Sequence, residues 1–226
     1  MISAIIPGAG TGQRMNSQTP KIFIELAGKP LFYHSIQSLV KSGEVDHILL
    51  AVPEGFKKRA LEYNQEWKIN NLEIVEGATT RQETVFHALQ TLPKTTEMVL
   101  IHDGARPLAS PELVRAVING AREHGACIPS LPCEETVKRV RSGHVVETLS
   151  RDEIHIVQTP QAFYFDLIME AHNHACERKW RVTDDATLVE RAGRPVATIP
   201  GEQSNIKITH PLDLKIAEII IVGSSI

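Results

Sequence analysis

Ala4-Ile5-Ile6-Pro7-Gly8-Ala9-Gly10-Thr11-Gly12-Gln13-Arg14-Met15 is the stretch that decides how this 226-residue chain folds. The apolar run in front of Pro7 is short and aliphatic, the pattern of a strand covered on both faces. Behind it, Gly8, Gly10 and Gly12 let the backbone turn sharply and bring N–H groups close to an anion. From Pro7 to Pro20 there is no helix or strand pattern, a long interval for a compact domain unless the loop has a task. A phosphate site at the end of a strand is the natural reading. The dinucleotide fingerprint does not fit, because its third glycine would fall on Gln13, and the Lys-Ser/Thr ending of a P-loop is missing. The loop offers instead Arg14 and, after Thr19-Pro20, Lys21. Read singly, each is an ordinary surface charge. Together, flanking glycines at a strand end, they can contact successive phosphates of a nucleoside triphosphate and stabilise charge on the reacting one.

Beyond this loop, aliphatic runs alternate with helical patterns. His47 to Val52, Leu72 to Val75, Met98 to Ile101 and Ala126 to Ser130 read as further strands. Pro30 opens a helix with Leu31, Ile36, Leu39 and Val40 on one face and Gly43 as its stop, and Ser110-Pro111-Glu112 opens another that ends at Gly125. The alternation predicts a three-layer, Rossmann-like α/β fold with a mostly parallel sheet, forming one domain over residues 1–226. Towards the C-terminus the pattern gives a strand over Ile154 to Val157 and a helix from Phe163 to Cys176. A helix capped at Thr183-Asp184-Asp185, strands over Val196 to Ile199 and Ile206 to Thr209, and a last helix from Pro211 follow. One segment breaks the rhythm. Glu135 to Val146 has a hairpin pattern about the turn Ser142-Gly143 without a long apolar face, and an isolated hairpin is marginal in water. The segment at about 134–151 is therefore expected to project as an arm and pack on a second copy, giving a homodimer; the plainer alternative is a hairpin lying on its own domain.

Composition narrows the function. With 24 Lys and Arg against 27 Asp and Glu the net charge is -3, so the basic surplus of a nucleic-acid or anionic-membrane binder is missing and any anion site must be local. No apolar run approaches the ~20 residues of a membrane span, so a soluble protein is expected. Three separated cysteines without a C-x-x-C pair suit a reducing cytoplasm. The ten histidines have no ligand spacing beyond His172-x-His174, which on a helix points to different faces and reads as surface.

Gly8-Ala9-Gly10-Thr11-Gly12-Gln13-Arg14-Met15 with Pro20-Lys21 resembles the signature of nucleotidyltransferases that activate sugar or polyol phosphates. His102-Asp103-Gly104-Ala105-Arg106-Pro107, Thr159-Pro160-Gln161, Thr183-Asp184-Asp185-Ala186 and Asn205-Ile206-Lys207-Ile208-Thr209 narrow the resemblance, in family order from position 7 to about 215, to the 2-C-methyl-D-erythritol 4-phosphate cytidylyltransferases. The resemblance implies transfer of CMP from CTP to a polyol phosphate with Mg²⁺ and release of pyrophosphate. It implies Arg14, Lys21 and Lys207 as catalytic cations, and CTP contacts from Pro7, Gly8, Ala9, Gly10, Thr11, Gly12, Gly77, Arg81, Thr84 and Asp103. Asp103, Arg106, Thr136, Arg151 and Thr183 would hold the acceptor substrate, with Thr136 and Arg151 reaching the site from a partner's arm. Asp103 is the implied metal ligand. A carboxylate at the end of a central strand is suited to Mg²⁺ shared with triphosphate oxygens, although Asp103-Gly104 is also a common turn pair. Asp185 has an equally good reading as a first-turn acid on the helix dipole.

The sequence departs from the family pattern at three places: Gly8 stands where alanine is common, Ala78 for a glycine, and Thr84 for a serine whose hydroxyl it keeps. A ribitol 5-phosphate cytidylyltransferase shares the fold, the glycine loop and the three cations, and Thr183-Asp184-Asp185-Ala186 resembles the methylerythritol branch more. An NAD-dependent oxidoreductase would use the same loop but is opposed by Gln13, Arg14 and Lys21, and a non-catalytic nucleotide-binding regulator is opposed by the intact charged set.

Overall fold

The computed structural model describes residues 1–9 and 19–223. The first half holds strands β1 (Ile2–Pro7), β2 (Glu25–Leu26), β3 (Lys29–Pro30), β4 (His47–Val52), β5 (Leu72–Glu76) and β6 (Met98–Ile101), with helices α1 (Leu31–Ser42), α2 (Lys57–Trp67) and α3 (Arg81–Thr91). The second half holds α4 (Pro111–His124), β7 (Ala126–Pro132), β8 (Lys138–Arg141), β9 (His144–Thr148), β10 (His155–Val157), β11 (Gln161–Tyr164), α5 (Phe165–Arg178), α6 (Ala186–Arg191), β12 (Ala197–Pro200) and α7 (Pro211–Gly223). Eight strands form one sheet in the order β10-β7-β11-β6-β1-β4-β5, with β12 also paired to β7. β1, β4, β5 and β6 run parallel, as does β12 with β7, while β11 lies reversed between β6 and β7. The mostly parallel α/β sheet is thus as expected. From β1 the chain builds β4 and β5 on one side and then returns to β6 on the other. The boundary between β1 and β6 is therefore the switch point, outside whose carboxyl ends open α/β sheets bind ligands.

Strand alternation divides the core. Ala4, Ile6, Ile48, Leu50, Met98 and Leu100 face α1, α2 and α4, whereas Ile5, Leu49, Ala51, Val99 and Ile101 face α3, α5 and α6. These side chains are fully or almost fully buried, and burying one leucine or isoleucine is worth about 1.5–3 kcal/mol. The helix signals act as read: Gly43 ends α1 in the left-handed region at φ 73°, and the Ser110 hydroxyl accepts the Leu113 N–H to start α4.

Four readings need correction. Phe163 belongs to β11, not to the following helix: it pairs with Val99 of β6 and Ala126 of β7, and its side chain is buried in the α5 and α6 layer. Ile206 to Thr209 forms no strand; it is fixed by the Ile208 N–H donating to the Ala105 carbonyl (2.8 Å). Thr183 does not cap α6: Asp184 accepts both the N–H and the hydroxyl of Thr187. Two helices, α2 and α3, were not anticipated. Thr80 and Glu83 form a reciprocal capping box that starts α3 and places Arg81 at its first residue.

The hairpin is β8 and β9, turned by Ser142 and Gly143, both at positive φ, and its strand residues are all exposed. Among the described residues no helix is long and apolar enough to cross a membrane.

Candidate active site

Three loops meet at the carboxyl ends of β1, β5 and β6. The Gly8 N–H donates to the Ala51 carbonyl and the Gly77 N–H to the Val52 carbonyl, both at 2.8 Å, so each loop leaves its strand along β4. The loops touch because they lack side chains: a Cβ on Gly77 would lie 2.4 Å from that of Ala9, and one on Gly8 would lie 2.4 Å from Ile22 Cδ1. Ile22 is buried in the 3-10 turn Lys21–Phe23, so the turn that carries Lys21 abuts the first loop. Gly10, Thr11, Gly12 and Arg14 lie outside the described residues.

Asp103 is the centre of the charge arrangement. Its Oδ1 accepts from Arg81 Nε at 3.0 Å and its Oδ2 from Lys207 Nζ at 2.5 Å. Burial would raise the Asp103 pKa, but the Arg81 and Lys207 charges override it and hold the carboxyl well below the usual carboxylate range. Arg81 also donates through Nη1 to Asp185 Oδ2 (2.7 Å), and Asp185 Oδ1 is 3.1 Å from His172 Nε2. Asp185 is likewise depressed against its own burial, by the Arg81 charge and the His172 contact.

A hydrogen-bonded frame fixes this cluster. Burial pushes His102 down to about 4, so at neutral pH the ring donates from Nε2 to the Arg106 carbonyl and accepts the Thr159 hydroxyl at Nδ1. The same hydroxyl accepts the Asp103 N–H. Asn205 donates to the Thr159 carbonyl, and Arg106 donates to the carbonyls of Asn205 (2.7 Å) and Val157 (3.2 Å). These bonds pin the segment that carries Lys207 across Asp103, although 104 residues separate the two in sequence.

A cleft of about 370 Å³ opens over the cluster. Arg81, Asp103, Arg106, Thr183 and Lys207 line it, joined by Gln161 and Asp184. The structure thus brings five of the candidate residues together. Thr84 is buried in α3, where its hydroxyl donates to the Thr80 carbonyl and accepts the Ala78 N–H, so it holds the Gly77 loop in shape. Thr136 and Arg151 lie exposed beside the arm, and Arg151 makes long contacts to the Glu134 carbonyl and Asp152. Two members of the cluster were missed. Asp185 is an ion-pair anchor, not a helix-dipole acid, and His172 is fully buried, not on the surface. A legible sign existed: His172 shares the apolar stripe of Ile168, Ala171 and Ala175 on α5.

A switch-point crevice in which Arg81 and Lys207 grip the Asp103 carboxylate, beside a glycine-bearing strand end, defines an α/β nucleotide-binding enzyme. The model of the family described as 2-C-methyl-D-erythritol 4-phosphate cytidylyltransferase matches residues 2–223. A protein of that description from Pelotomaculum thermopropionicum is 41% identical over 225 residues, covering 97% of this chain and 94% of the relative. Among solved structures, a 4-diphosphocytidyl-2C-methyl-D-erythritol synthase from Anaerococcus prevotii is 34% identical with a TM-score of 0.87, covering 98% of this chain and 96% of that one. The cytidylyltransferase from Thermus thermophilus is 32% identical with a TM-score of 0.82, covering 97% and 98%. The chain belongs to the 2-C-methyl-D-erythritol 4-phosphate cytidylyltransferase family.

Proposed function

We infer that this chain transfers CMP from CTP to 2-C-methyl-D-erythritol 4-phosphate, giving 4-diphosphocytidyl-2-C-methyl-D-erythritol and pyrophosphate. The observation that carries this reading is the Asp103 carboxylate held between Arg81 and Lys207 at the switch point of a chain matched end to end by the family. A phosphate oxygen of the acceptor attacks the α-phosphorus of CTP, the new P–O bond forms, and the bond to the β-phosphate breaks with pyrophosphate leaving. The nucleophile is already an anion, so the protein has to position the two phosphates and neutralise charge, not remove a proton. Lys207, with Arg14 and Lys21, supplies that charge. Arg81 and the Gly8 and Gly77 loops hold the nucleotide, and Arg106 and Thr183 face the acceptor.

Among the described residues no group of three His, Cys, Asp or Glu could hold a metal ion. The Asp103 carboxylate on the cleft wall fits Mg²⁺ that arrives with the nucleotide, since Mg²⁺ is commonly held by one or two carboxylates plus substrate phosphates. Asp103 would hold it, and the ion would neutralise triphosphate charge. The exposed apolar Val140, Val145 and Val146 of the hairpin support packing on a second copy, which would bring Thr136 and Arg151 to the neighbouring site. All three cysteines are free, which suits the reducing cytoplasm.

The test is pyrophosphate release from CTP and Mg²⁺ with methylerythritol phosphate or ribitol 5-phosphate as acceptor. Release with the first supports the reading; release with ribitol phosphate alone, or binding of NAD without binding of CTP, overturns it.

A further inference from the structure

Arg81 is shared by two carboxylates that differ in access. Asp103 lines the cleft, whereas Asp185 is 1% exposed, absent from the cleft wall and bound to Arg81 and the buried His172. Different nitrogens serve them, Nε for Asp103 and Nη1 for Asp185, so one bond can break while the other stays. Both Asp103 oxygens are occupied by cations. An incoming ion that takes the Oδ1 oxygen loosens it from Arg81, and a mostly buried guanidinium with no other anion would be a costly state.

We propose that Asp185, braced by His172, is a positioning residue that keeps Arg81 paired and in place while Asp103 turns from the guanidinium to the Mg²⁺–CTP complex. The brace is built to stay. His172 is fully buried, its ring lies parallel to Phe86 at 5.8 Å, and its Nε2 donates to Asp185 Oδ1 at 3.1 Å. Without Asp185, Arg81 would rely on Asp103 alone and would compete with the metal for that carboxylate.

The inference rests on the proposed binding of Mg²⁺–CTP, and its test needs no turnover. CTP is titrated calorimetrically into the whole protein, without the acceptor, once in EDTA and once in excess Mg²⁺. The ratio of the two affinities is the gain due to the metal. Asp185→Asn is expected to cut that gain about tenfold, in the range found for groups that orient metal ligands, while CTP in EDTA binds within about threefold of the wild type. His172→Phe keeps the stacking on Phe86 and removes the donor; a smaller loss of the gain in the same direction is expected, and this variant carries the test if Asp185→Asn does not fold. Asp185→Glu, which keeps the charge, should restore most of the gain. An unchanged gain in both Asp185→Asn and His172→Phe, or an equal weakening in EDTA and Mg²⁺, would overturn the inference and leave the proposed function standing. A wild type that binds CTP in neither titration would overturn the proposed function itself.

Discussion

The cleft and the hairpin arm carry similar numbers of charged side chains and use them in opposite ways. At the cleft, ion pairs join residues more than 100 positions apart, and the two carboxylates in them, Asp103 and Asp185, are 10% and 1% exposed. In the arm, Arg139 and Glu147 pair at 2.9 Å with both side chains about half exposed, a contact of the kind worth about 0–1 kcal/mol. The hairpin is local, set by a two-residue turn, whereas the cleft exists only when the whole sheet has formed. The cleft ion pairs are thus tied to carboxylates the fold shields from water, and the arm pair is not. The arm offers Val145, 63% exposed, and has its own reason to seek a cover.

The largest test of this contrast removes a proposed catalytic cation. Lys207→Ala, and equally Arg14→Ala or Lys21→Ala, is expected to lower turnover by roughly 10²–10³, as for loss of a transition-state charge partner. Steady-state pyrophosphate release measures it, and near-normal turnover would refute the role. Next comes the arm. Val145→Asp should convert a dimer to a monomer by light scattering and lower turnover about tenfold, in line with the loss of positioning groups. An unchanged mass and rate would place the hairpin on its own subunit.

A third test uses pH. Asp185 has a depressed folded pKa, so its contribution to stability is fully present above the unfolded value of about 3.9 and is lost as pH falls below it towards the folded value. Urea midpoints at pH 7 and pH 3 should differ less in Asp185→Asn than in the wild type; an equal difference would deny the pairing its energetic role. The smallest effect is expected on the arm. Val146→Thr should move the stability of the isolated protomer by no more than about 0.5 kcal/mol, whereas Leu49→Ala in the core should cost about 2–5 kcal/mol. Denaturant unfolding of the two variants compares them directly.

The parallel core was legible because runs such as Ile48-Leu49-Leu50-Ala51-Val52 have no other use than burial on both faces. Asp103 and Lys207 were legible as candidates from motif order. Their contact was not, because it depends on Arg106, Thr159 and Asn205 tying distant segments together through backbone carbonyls. The reversed strand β11 was hidden because Gln161-Ala162-Phe163-Tyr164 runs into α5 without a turn residue. Asp185 was hidden by its own ambiguity, since an acid just before a helix looks the same whether it serves the dipole or an arginine from another layer. The capping pair Thr80 and Glu83 was readable and would have placed Arg81 at a helix start.

A crystal structure of the protein with CTP and Mg²⁺ would show whether this cluster receives the triphosphate. The α-phosphate is expected within ion-pair distance of Lys207, Asp103 turned towards the metal, and Arg81 still bound to Asp185. CTP seated away from Asp103 and Lys207, with their ion pair intact, would contradict this expectation.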